Sequence, residues 1–76
     1  MNDIIKPGVY RHFKGSLYTV IGECIIADTN PGILGIIYTN DSGDMFVRSL
    51  ENWVSPVVGF KDGKEYMCER FRYIES

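Results

Sequence analysis

The chain has 76 residues, 45% hydrophobic and 13% aromatic, with a formal net charge of −2. That length supports one domain with a thin core, because a chain of this size buries only about 60% of its unfolded surface. The apolar content excludes a disordered acidic tail, and the acidic balance argues against a dedicated double-stranded DNA binder, which needs a basic domain or stripe.

From the N-terminus, "MNDIIKPG" has no apolar h-region and is not read as a signal peptide. The first strand is expected at Val9–Phe13, with Tyr10, His12 and Lys14 on one face and Val9, Arg11 and Phe13 on the other. Lys14-Gly15 is short enough for a tight turn into a long second strand, Leu17 to about Ala27. In that strand Tyr18, Val20, Cys24 and Ile26 are expected to line up, and Gly22 marks a bend or bulge. Asn30-Pro31-Gly32 punctuates before a third strand at Leu34–Thr39, and "NDSGD" before a fourth at Met45–Arg48. "SLENW", Ser49–Trp53, is about one turn long with Ser49 as cap and reads as a single 3₁₀ turn. A fifth strand at Val54–Phe60 is demoted to an edge by Pro56, which cannot donate to a ladder. Asp62-Gly63 suits a type I′ hairpin turn, and the last strand is expected at Tyr66–Ile74. Short β-branched and aromatic runs between regular turn signals describe an all-β fold, a small barrel or sandwich.

No segment approaches the roughly 20 apolar residues of a membrane span. Two cysteines, Cys24 and Cys68, are too few and too far apart for a secreted disulfide scaffold. The expectation is a soluble cytoplasmic protein whose thiols are reduced.

The segments "GVYRHFKGSLYTVIG", "FVRSLENW" and "RFRYI", in that order, resemble a small bacterial and phage family catalogued as a domain of unknown function, family sixteen fifty-three. The matching positions are Tyr10, Arg11, His12, Phe13, Lys14, Gly15, Tyr18, Gly22, Tyr38, Arg48, Leu50, Glu51, Arg70 and Phe71. The chain departs from the family pattern at Asp28-Thr29 with the following "NPGIL", and at Ser49, where the family usually has proline. The resemblance covers nearly the whole chain. It implies an SH3-like β-barrel of five to six strands and carries no activity with it.

Tyr10, Arg11, His12 and Lys14, with Arg48, Glu51 and Trp53, are the candidate binding surface. Arginine offers a planar fork of donors for carboxylates or phosphates, and Tyr and His stack or hydrogen-bond. The structural alternative has Arg11 or Arg48 pairing with Glu51 or Glu23 and His12 capping a turn carbonyl. Trp53 and Tyr38 are the best candidates for an exposed aromatic groove of the kind small barrels use for peptides or cations. One histidine and two scattered cysteines supply neither a structural zinc set nor a cysteine nucleophile with its base and orienting group. No glycine-rich phosphate loop is present, so neither a catalytic residue, a metal nor a cofactor is expected. The reading is a non-enzymatic binding module for a protein or peptide partner, with nucleic acid as the alternative and an exposed edge strand as a route to a homodimer.

Overall fold

Short β-branched and aromatic runs do form strands in the computed structural model, which describes residues 5–75. In chain order the elements are β1 (Gly8–His12), β2 (Leu17–Ile26), β3 (Ile33–Thr39), β4 (Met45–Ser49), α1 (Leu50–Val54), β5 (Val57–Lys61), β6 (Lys64–Cys68) and β7 (Phe71–Glu75). Five strands form one antiparallel sheet in the order β4-β3-β2-β1-β7, and β5-β6 form a separate two-stranded sheet. The all-β expectation holds. Among the described residues the pairing gives an open sheet and a hairpin, seven strands in place of five to six, with no ladder joining β4 to β7.

The expected last strand, Tyr66–Ile74, is two strands. Cys68 pairs with Val57 in the hairpin, whereas Phe71 pairs with His12 in the main sheet. The chain leaves one sheet at Glu69 and enters the other at Phe71, a change of partner to which alternation is blind. The fifth strand begins only at Val57, because Val54 closes the helix and Ser55 caps it. Pro56 lies just ahead of that strand, where its missing N–H costs no ladder bond. The expected 3₁₀ turn is a single turn of α-helix, capped by the Ser49 side chain accepting from Asn52 N–H at 3.1 Å. The Asp62-Gly63 turn is as expected, with φ of 53° and 75°, the positive pair that a type I′ turn requires.

The register of β2 on β3 shifts between Val20 and Gly22, so the bulge marked by Gly22 is real. Its consequence is that alternation changes parity. Val20 is buried opposite Tyr38, but Cys24 pairs with Gly35 and lies on the face away from buried Ile36. Cys24 and Ile26 therefore do not share the face of Tyr18 and Val20, since one inserted residue flips every side chain beyond it.

The core is aromatic. Tyr10, Val20, Ile36, Tyr38, Trp53 and Phe71 are buried together, with Ile5, Tyr18 and Leu50 packed against them. Helix α1 seats Trp53 flat on Phe71, with centroids 3.7 Å apart and planes 4° apart. Tyr10 and Tyr38 meet Trp53 edge-on at 5.4 and 5.3 Å. One face of the five-stranded sheet is thus covered by a single helical turn.

Candidate functional site

His12, Lys14 and Arg48 of the polar cluster expected from the sequence gather at the rim of this aromatic core, with His12 at its centre. His12 ends β1 and holds the turn that follows. Its backbone N–H donates to Ser16 O at 2.8 Å and its carbonyl accepts from Gly15 N–H at 2.7 Å. Its Nδ1 accepts from Lys14 N–H at 3.2 Å. The ring contacts Phe13 and Phe71, with centroids at 4.6 and 5.0 Å. Burial first, then the charges of Arg48, Arg70 and Lys14, lower its pKa below the ordinary 6.5. His12 is therefore neutral at neutral pH, with its proton on Nε2 because Nδ1 is the acceptor.

Arg48, on β4, belongs to the same rim because it pairs across the ladder with buried Ile36. Its Nε donates to Tyr38 Oη at 3.2 Å, its Nη1 donates to Asn52 Oδ1, and its guanidinium lies 5.3 Å above the Phe71 ring. Arg70 approaches from the β6–β7 junction, its Nε donating to Asn52 O at 3.2 Å. Two guanidinium groups thus converge on one residue of α1. Glu51 is exposed on the same helix, and Arg48 donates to Tyr38 and Asn52. The histidine caps a turn amide, not a turn carbonyl.

Three of the seven candidate residues fall elsewhere. Tyr10 and Trp53 are core residues, 7% and 4% exposed, and Tyr38 is 5% exposed, so Trp53 and Tyr38 do not form an exposed groove. A thin core needs its bulkiest side chains inside, and the helical turn exists to place Trp53 there. Tyr10 and Trp53 do line the floor of a cavity of about 310 Å³, with Ile5, Glu69 and Arg70 at its walls. The Tyr10 hydroxyl donates to Lys6 O at 2.7 Å, and burial, then Tyr73, raises its pKa. Arg11 points to the opposite face from its neighbour His12 and sits directly across the ladder from Arg72.

Asn52 is the addition that tertiary structure makes to the candidate surface; Arg70 reaches the rim through it, whereas Arg72 lies beside Arg11 on the opposite face. Arg70 and Arg72 carried a signal, two arginines at alternate positions of "RFRYI". Asn52 carried none beyond its compatibility with a turn.

A second cavity, of about 210 Å³, is lined by Arg11, His12, Tyr66, Cys68, Glu69 and Arg72 among others. It brings His12 and Cys68 to one space. The Nδ1 lone pair that would act as a base is already engaged by Lys14 N–H, so the histidine presents Nε2–H, a donor, to that space. Among the described residues no three His, Cys, Asp or Glu side chains come together in a way that could hold a metal ion. Among them also, no helix is long and apolar enough to cross a membrane.

The family described as Protein of unknown function (DUF1653) matches residues 8–73 of the chain. Among solved structures, the chain is similar to the crystal structure of a protein belonging to DUF1653 from Bordetella bronchiseptica. That likeness has 29% identity and a TM-score of 0.75, over 95% of this chain and 90% of the other. No curated protein matches.

Proposed function

We propose that this chain, which belongs to the DUF1653 family of proteins of unknown function, is a non-enzymatic binding module for an acidic segment of a protein partner. The observation that carries the reading is the convergence of Arg48 and Arg70 on Asn52, beside His12 and Lys14. Guanidinium groups anchored through one edge keep their remaining N–H donors oriented, which lowers the cost of capturing a carboxylate. A neutral His12 adds an Nε2–H donor without adding charge. The engaged Nδ1 of His12 supports a binding role over a catalytic one.

The strand order supports an SH3-like reading of the fold. The last strand, β7, returns beside the first, and a helical turn follows the β2–β3–β4 meander. The β5–β6 hairpin is then an insertion between that turn and the last strand. The relative from Bordetella supports a bacterial origin, and the free thiols of Cys24 and Cys68 are in keeping with a cytoplasmic location.

One observation favours nucleic acid as a second reading: Lys14, Arg48 and Arg70 surround His12 although the whole chain carries −2. Single-strand binders, however, stack bases on exposed rings beside their cations, and Tyr38 and Phe71, the rings under Arg48, are buried. The protein partner is therefore preferred.

The test is a pull-down from host lysate with the wild type and Arg48→Ala. The reading expects a partner recovered by the wild type and lost with the variant; identical prey with both removes Arg48 from the surface. An oligonucleotide retarded at about 50 mM salt, and released as salt rises, would favour nucleic acid instead.

A further inference from the structure

The β5–β6 hairpin stands off the main sheet. Of its strand residues only Gly59 is buried, and the described fold has extents of 42 × 27 × 23 Å. Its two faces differ. On one, the Tyr66 ring lies over Gly59, where an added Cβ would come within 2.6 Å of it. On the other, Val58 pairs with Met67 and Phe60 with Glu65, and Phe60 and Met67 are 72% and 67% exposed. A two-stranded hairpin is marginal in water unless something covers it.

The main sheet has an uncovered apolar face as well. Helix α1 covers the face of Ile36, Tyr38 and Phe71. The opposite face carries Ile37, Met45 and Val47, with Met45 and Val47 65% and 51% exposed. Exposed Ile21 is the unpaired residue of the bulge between Val20 and Gly22. An antiparallel sheet facing water ordinarily shows polar side chains there.

We infer that this chain forms a two-fold dimer in which the hairpin of each copy lies on the uncovered sheet face of the other. Three observations select a second copy as the occupant. First, one chain bears both an apolar projection and an apolar face, so reciprocal docking covers both surfaces and closes the assembly. Second, the charges complement each other. Glu65 is the charge on the hairpin's apolar face, and Arg11 and Arg72, like charges directly opposed, lie on the outer sheet face. Third, the area fits. The chain exposes 5547 Å² at 8.7 kDa, against about 4,700 Å² for a compact monomer of that mass. The excess is close to the roughly 800 Å² that each partner contributes to a standard interface.

Sedimentation equilibrium across micromolar to sub-millimolar concentrations tests this, with Phe60→Glu on the hairpin and Val47→Glu on the face. The expected result is a wild-type mass of twice 8.7 kDa, with each variant's dimer weakened more than about tenfold, or ~1.4 kcal/mol. Mixing the two variants then recovers a heavier species, because one copy retains an intact face and the other an intact hairpin. A wild type that stays monomeric overturns the inference. So does a Phe60→Glu dimer as tight as the wild type, which would indicate face-to-face association; so does a Val47→Glu dimer as tight as the wild type, which would indicate hairpin-to-hairpin association; and so does a mixture that remains monomeric. Met67→Lys and Met45→Lys replace either variant if its circular dichroism shows that it has not folded.

Discussion

A histidine whose Nδ1 accepts from the Lys14 amide cannot take a proton there without losing that bond. The surrounding Arg48, Arg70 and Lys14 oppose the added charge, and burial opposes it more. The folded-state pKa therefore lies below the unfolded value, so the unfolded chain binds the proton first. Stability is complete above about pH 6.5 and declines as pH falls toward the folded-state value. Urea unfolding from about pH 7.5 to about pH 5 is expected to show this decline, and His12→Asn, which keeps an acceptor and removes the titration, flattens it. An unchanged slope in the variant would assign the decline to other groups. At this scale part was legible: "YRHFK" supplied His12 and Lys14 of the rim, while Tyr10 went to the core and Arg11 to the opposite face. Which of them were core was not, because alternation gives two faces without saying which is inside. For Tyr10 and Trp53 that choice was made by their rings meeting at 5.4 Å.

Helix α1 is one turn long and forms because its ends are supplied with partners. The Ser49 side chain caps Asn52 N–H, and Ser55 Oγ donates to Glu51 O at 2.7 Å. Ser49→Ala is expected to cost about 1 kcal/mol in thermal or urea unfolding. Because Arg48 and Arg70 both donate to Asn52, the same change loosens the rim. A stability equal to wild type would mean that the arginines alone hold the turn. The cap and the turn were readable in "SLENW". The division of Tyr66–Ile74 into β6 and β7 was not, since Tyr66, Cys68, Arg70 and Arg72 alternate without interruption through Glu69. Only the choice of partner strand, β5 or β1, sets the boundary. The type I′ turn at Asp62-Gly63 was readable for the opposite reason: positive φ at both residues is a local requirement that few residue pairs meet.

For the whole molecule, the buried side chains among the described residues all belong to the sheet and to α1, so stability is unevenly distributed. Amide exchange of the isolated chain at low concentration is expected to be at least about tenfold faster in β5–β6 than in the paired centre of β2–β3, since protection follows burial and pairing on both sides. Equal protection would mean that hairpin and sheet open as one unit.

By itself the sequence determined an all-β chain, the positions of its turns and the bulge at Gly22, because each rests on local backbone sterics or short-range alternation. Tertiary structure decided which face of each strand was buried, that "KEYMC" and "FRYIE" join different sheets, and that Arg48 and Arg70 meet at Asn52. Those outcomes depend on which strands pair and on where one tryptophan finds enough aromatic surface to bury itself, and both are contacts between residues far apart in the chain.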